Sequence, residues 1–471
     1  MSNIISLDAQ HQASASAYAT KRTALTFLGL TVFLLMADPL MNTYLGPVPV
    51  YAVDFLALLT WFYAKRIPQT KRVPLQSFVF LIIASMLTSE LLAAARLGTL
   101  LQPSYIILRT LLAVSLFFSV TRIIQGKQDL ITILKAGLLG AIITAALMIT
   151  SSLPQTRSYV ARYIFSNALL LPSADQVSST YSSGSEALRG QSLVGVSILS
   201  AAFLNSIWPL ILLLRTSERL HIVWRFLTAI AIVLIPIGVV LSYSRGAIVG
   251  LVLVLVIAIM LNSKKVSQPI VAGVGLMLLA FVWLGWESDT LKFEWLQTKA
   301  EDQLADPYDS DDVTQRIYAY SEPFELVRAQ PIFLLVGEGF ARDKIDGAPA
   351  SVGTAWHAVF AAATYGYGML AAFTYVAMLV IAFLMTWKSV WKSQSAFAST
   401  FSRALLAGLA GFSMWFLLGL AGVSEPRGAM LLFFVFGLVA VQSNFETAPA
   451  PSIAKSNDHV RARLDSPPRA I

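Results

Sequence analysis

Cysteine does not occur in this chain, and charge is scarce: 13% of its 471 residues are Asp, Glu, Lys or Arg. Without cysteine there is no disulfide, no thiol nucleophile and no Cys-based metal or iron–sulfur site. Soluble domains carry about 25% charged residues. A chain 56% hydrophobic, with mean hydropathy +0.68, falls outside that class. Histidine is nearly as rare, with four copies. No HExxH, GKS/T phosphate loop, GxSxG or paired-histidine motif is present, so zinc hydrolysis and ATP-driven transport lose their usual support.

What the sequence does have is long apolar runs. Twelve spans are expected, over 24–43, 47–64, 74–95, 101–121, 129–151, 191–214, 226–241, 246–262, 269–285, 356–386, 401–422 and 428–442. Runs of roughly 17–25 apolar residues cross a bilayer as helices, whose backbone groups are satisfied internally. Barrel strands would alternate, and these runs do not. The expected fold is therefore an all-α polytopic membrane protein of about twelve helices. The polar opening residues carry no small-residue cleavage site before the first run, which reads as an uncleaved first span.

Lys and Arg in short loops set the orientation. Fourteen, including Lys65, Arg66, Arg72, Arg122, Lys127, Arg225 and Lys388, fall on one side, against six on the other: Arg96, Arg157, Arg162, Arg189, Arg245 and Arg427. That counts the formal charge of +8 as mostly topology rather than a nucleic-acid signal, and both termini are expected in the cytoplasm. The organisation is a cytoplasmic tail (1–23), a transmembrane domain (24–442) with outer loops 152–190 and 286–355, and a disordered cytoplasmic tail (443–471). The larger loop separates the ninth and tenth spans. The smaller contains an amphipathic piece, RSYVARYIFSNALLL, suited to lying in the interface.

Residues 242–246, SYSRG, interrupt two of the apolar runs. As one helix, 226–262 would be about 55 Å long, too long for a ~30 Å hydrocarbon core. The segment must turn back, with SYSRG at an outer tip and Arg245 opening the next helix. An arginine fork beside a helix N-terminus suits phosphate oxygens, with Ser242, Ser244 and Gly246 allowing close approach and further hydrogen bonds. The plainer alternative is an arginine snorkelling to lipid headgroups.

Of the four histidines, His357 alone lies at the outer end of a span, in TAWHAVFAAATYGYG. It suits a base toward a sugar hydroxyl or a phosphate donor, or else anchors a helix end beside Trp356. Asp38, Asp54, Glu90 and Arg109 all fall in the outer half of the membrane, where each needs a partner or a wet cavity. The antiparallel third and fourth spans suggest a Glu90–Arg109 pair beside an outward-open cavity. In the long loop, Arg316 lies in VTQRIYAYSEPFELV, ahead of LLVGEGF. Asp309-Ser-Asp311 reads as a solvated acidic stretch more readily than as a metal site, and neither metal nor cofactor is expected.

This arrangement resembles the O-antigen ligase/polymerase superfamily over about 185–442. LRGQSLVG, LSYSRGAIVGL, QRIYAYSEPFELVRAQPIFLLVGEGF and TAWHAVFAAATYGYGML stand in that family's order. The resemblance implies a donor saccharide linked through diphosphate to undecaprenol at the outer face of a bacterial inner membrane. The acceptor is lipid A–core in ligases and another carrier-linked glycan in polymerases. It further implies roles for Arg245, Arg316 and His357 in transfer, and a lesser match at Arg189. Arg328, eleven residues before Gly339, fits an Arg-x10-Gly pattern associated with polymerases. Ala358 after His357, where ligases carry Asn, Ser or Gln, tilts the expectation toward polymerase. Ser244, Arg189, Arg109 and Arg328 complete the expected substrate contacts. Partners would be membrane lipids, a flippase and chain-length-control proteins, without nucleic acid. The alternatives are a transporter or flippase of the same lipid-linked saccharide, or a non-catalytic subunit of an assembly complex.

Overall fold

A computed structural model describes residues 2–37, 43–45, 48–50, 52–69, 72–153, 156, 197–216, 220–242, 244–261, 331–340, 359–393, 395–418 and 426–446. The ninth expected span and the smaller outer loop lie outside the described residues, apart from Ser152, Leu153 and Thr156 of the latter. Helices dominate: α1 Ser2–Ala37, α2 Ala52–Ala64, α3 Gln76–Leu97, α4 Leu101–Ile123, α5 Lys127–Ser152, α6 Ser197–Leu212, α7 Ile222–Val240 and α8 Arg245–Leu261. Within the long loop lies α9 Pro331–Val336, and after the loop come α10 Val359–Tyr367, α11 Met369–Lys392, α12 Ala396–Leu418, α13 Pro426–Ala440 and α14 Ser443–Glu446. Between α1 and α2 a short antiparallel hairpin, β1 Thr43–Leu45 and β2 Val48–Val50, pairs Thr43 with Val50.

Among the described residues, six helical stretches are long and apolar enough to cross a membrane: Gln76–Leu97, Leu101–Ile123, Lys127–Ser152, Ile222–Val240, Met369–Lys392 and Arg427–Phe445. The expected C-terminal tail opens with one more helical turn, Ser443–Glu446. The expected single tenth span does not form. It breaks at Gly368, φ 85°, into α10 and α11, and the rings of Phe360 and Phe373 meet at 5.3 Å. Thirteen residues of straight helix would separate those two by about 20 Å. The two helices therefore bend back toward each other.

Local chemistry fixes the ends. Asp129 Oδ2 accepts from the backbone N–H groups of Gln125 and Gly126, both at 3.0 Å, and so starts α5. Gly98, φ 64°, ends α3 in the left-handed conformation that glycine adopts freely. Hydroxyls inside helices bond back to the preceding turn, as Thr60 does to Leu56 O at 2.6 Å, or across to a neighbour, as Thr31 does to Thr60 at 2.9 Å. Small residues bring α8 and α12 close. A Cβ on Gly250 would stand 2.9 Å from Gly411 O, and Asn205 of α6 donates to Ala247 O at 2.8 Å beside them.

These contacts define two ends. At one, Lys21 pairs with Asp129 at 2.9 Å, Arg122 donates to Lys65 O at 3.4 Å, and Lys135 lies over Trp224 at 5.2 Å. At the other meet the starts of α2, α4, α8 and α11 and the close of α3, α7 and α12. Of the cations that the loop rule assigned to one side, described ones such as Lys65, Arg66, Arg122 and Lys127 lie at this first, basic end. The described parts of the candidate site lie at the far end.

Candidate functional site at the far end of the bundle

The SYSRG tip is built from serine hydroxyls. Ser242 Oγ donates to Val239 O at 2.6 Å and accepts from Ser244 N–H at 3.2 Å, closing the chain after α7. Ser244 then caps α8: its Oγ accepts from Ala247 N–H at 3.4 Å, and its carbonyl accepts the first helical bond, from Ile248, at 2.9 Å. Both serines are buried. α8 opens with Arg245, so its first amides have no partner within the helix and carry the positive end of the helix dipole. Among the described residues, a Cβ at Gly246 would meet nothing within 4 Å.

A second structure is centred on the break at Gly368. Breaking the helix frees the carbonyls of Tyr365 and Gly366, which an unbroken helix would bond to residues four ahead. Residues 337–340, GEGF, supply the missing donors. Glu338 N–H donates to Tyr365 O at 2.7 Å and Gly339 N–H to Gly366 O at 3.1 Å, while Ser89 Oγ donates to Gly366 O as well. Irregular backbone at membrane depth is tolerated only when satisfied in this way. The approach is possible because the facing residues are glycines. A Cβ on Gly366 would overlap the Phe340 ring, one on Gly368 the Leu335 carbonyl, and one on Gly339 would come within 2.7 Å of Ala93.

α3 completes this latch. Glu90, fully buried, accepts from Phe340 N–H at 2.9 Å, and Arg96 donates to Glu338 O at 2.8 Å while lying 4.2 Å over the Phe333 ring. The Phe340 ring stands edge-on to Tyr367 at 5.0 Å. Residues 337–340 of the long loop are thus fixed to α3 and to the α10–α11 break. His357 precedes α10 by two residues.

The charged residues pair differently from the sequence expectation. Arg109 bonds Asp54 at 3.1 Å, with side chains 8% and 11% exposed, and its guanidinium lies 4.9 Å over Tyr105. The expected Glu90–Arg109 pair is therefore corrected: Asp54 holds Arg109, and Glu90 holds the latch. The reason is packing. The start of α2 lies against α4, whereas Glu90 is on the face of α3 that meets the loop and α10.

Of the expected site residues, Ser244 is a helix cap, Arg109 is ion-paired and Arg245 opens α8, its side chain outside the described set. Arg189, Arg316, Arg328 and His357 lie outside the described residues, as do Asp309 and Asp311. Among the described residues no three His, Asp or Glu side chains gather as metal ligands. Nothing in the sequence joined LLVGEGF to TYGYG or gave Ser89 and Glu338 a role, and Gly339 stood out only as the end of an Arg-x10-Gly pattern. What signal there was lay in the glycine spacing of the two apolar stretches.

Residues 229–355 match a family model described as O-antigen ligase. The match takes in most of α7, the SYSRG tip, α8, the long loop with Arg316 and Arg328, and the GEGF latch, and it stops two residues short of His357. No curated protein matches the chain. The match brings with it that family's broad role, O-antigen ligase-type function in polysaccharide assembly at a membrane. The match covers 229–355 of the 471 residues and supports the resemblance to the O-antigen ligase/polymerase superfamily.

Proposed function

We propose that this protein is an enzyme that transfers a saccharide from a polyprenyl-diphosphate carrier at the outer face of the inner membrane, with polymerisation favoured over ligation. The observation that carries the reading is the O-antigen ligase match, because it spans both the SYSRG tip and the loop that holds Arg316. In the proposed step the acceptor hydroxyl oxygen attacks the anomeric carbon. The bond from that carbon to the diphosphate oxygen breaks, and polyprenyl diphosphate leaves with the bonding electrons. Direct displacement inverts the anomeric centre.

Each residue has a task in this scheme. Arg245 and Arg316 neutralise the charge growing on the diphosphate, where fixed donors act without reorganisation. The positive end of the α8 dipole adds to the Arg245 field. His357 orients the acceptor hydroxyl and takes its proton. Arg189 and Arg328 contact the saccharide or carrier, and Ser244 holds the first turn of α8 in place. Arg109, paired with Asp54, shapes the cavity. The latch supports the scheme by tying the loop that carries Arg316 to the helix that follows His357.

A transporter of the same lipid-linked saccharide is the second reading, and the broken helix is the feature that favours it. Transporters built from repeats place such breaks at matching positions in two halves. The described residues contain no counterpart to the break at Gly368.

The test is a gel profile of surface and carrier-linked glycan in a deletion strain, restored with wild type, Arg245→Ala, Arg316→Ala or His357→Ala at matched protein levels. Single repeats on the surface identify a polymerase, and long chains held on the carrier identify a ligase. Full activity of all three variants would reject the proposed chemistry.

A further inference from the structure

At the basic end lies a cavity of about 240 Å³ that the transfer reaction does not use. Its walls come from the turn between α2 and α3, the close of α4, and the turn between α13 and α14. Arg72 and Arg122 supply two positive charges, Thr121, Gln125, Ser443 and Asn444 are among its polar groups, and no carboxylate lines it among the described residues. We propose that this cavity binds a phosphate ester, held between the two guanidinium groups.

The arginines have donors to give. Arg72 is exposed and makes no hydrogen bond or ion pair among the described residues. Arg122 uses Nη1 on Lys65 O, at 3.4 Å, while its Nε–H is buried with no hydrogen-bond partner among the described residues. A buried donor left unmatched is costly, and an oxyanion is the natural acceptor beside a second arginine.

Two nearby groups that would repel an anion are occupied elsewhere. The carbonyl of Ile124, just past α4, accepts from Asn444 Nδ2 at 3.1 Å. Asp129, the nearest carboxylate along the chain from Gln125, is held by Lys21 at 2.9 Å and by two backbone amides. Sites for drug-sized ligands run from about 300 Å³ upward, so this volume suits a phosphate on a short polar stem. That chemistry comes from two sources: the headgroup of an anionic phospholipid, or a soluble phosphorylated molecule.

The experiment uses the full chain in nanodiscs, as wild type, Arg72→Gln and Arg122→Gln. In one arm, native mass spectrometry measures retention of phosphatidylglycerol in discs that mix it with phosphatidylcholine. In the other, sn-glycerol 3-phosphate is titrated into pure phosphatidylcholine discs. Loss of one charge-assisted contact should weaken binding about tenfold. Retention of the lipid that falls in the variants establishes a headgroup site. Binding of glycerol phosphate that falls in them establishes a soluble ligand. No binding in either arm, or binding equal in wild type and variants, overturns the proposal. Should Arg122→Gln fail to fold, the exposed Arg72→Gln decides the matter alone.

Discussion

The two ends of the bundle handle charge in opposite ways. At the basic end, cations stand in or near water: Lys65 lies over Trp61 and Phe62, Arg66 over Phe62 and Tyr63, and the Lys21–Asp129 pair has one partner 30% exposed. At the far end Asp54, Glu90, Arg109 and Glu338 are all buried, each holding a specific partner or surrounded by packed backbone. Cations at the first end set orientation, and almost any arrangement of them does so. Charges at the second are too costly to bury without a task. They fix the geometry of the loop and of the helix break beside the proposed site.

That contrast predicts a graded series of effects. The largest belongs to Arg109→Met, which leaves Asp54 charged and buried and should cost about 3–5 kcal/mol in detergent unfolding. The double variant Arg109→Met with Asp54→Leu should recover most of this loss. If the single variant unfolds like wild type, the far end is wetter than its burial implies and the comparison fails.

Next comes the latch. Gly368→Ala sets a Cβ against the Leu335 carbonyl at φ 85°, so overpacking and backbone strain should together cost about 1–3 kcal/mol. Glycan transfer should fall with it. A fully active and stable Gly368→Ala protein would mean that the loop does not need this fit.

Glu90→Ala leaves the Phe340 N–H without its acceptor, and about 1–3 kcal/mol should follow. Glu90→Gln keeps an acceptor oxygen and should lie near wild type by the same unfolding measurement. Equal damage from both would point to the charge rather than the hydrogen bond. The smallest effect is expected from Lys21→Ala, under about 1 kcal/mol, because its pair is partly exposed. A large loss there would erase the difference between the ends.

Most of the helices were legible beforehand because a membrane imposes a local rule, a long apolar run, that any stretch of sequence obeys or does not. The spans expected at 74–95, 101–121, 129–151 and 226–241 appear as α3, α4, α5 and α7. SYSRG was legible as a tip for the same reason, since a helix over 226–262 would exceed the membrane. Partner choice was less legible. Glu90 and Arg109 are near in sequence and on antiparallel spans, yet Asp54, far earlier in the chain, reaches Arg109 first. Which face of a helix meets which neighbour is decided by packing, and hydropathy carries no record of it.

A polytopic helical protein, an excess of cations on one side of it, and the family resemblance carried by SYSRG and the long loop could all be read from the residues alone. The split of the tenth apolar run into two helices, the capping of the broken carbonyls by Glu338 and Gly339, and the hold of Glu90 on Phe340 emerged from packing. Span and sidedness follow from summed local free energies of transfer. A helix break survives inside a bundle only where donors from a distant segment meet it, and that meeting exists only in three dimensions.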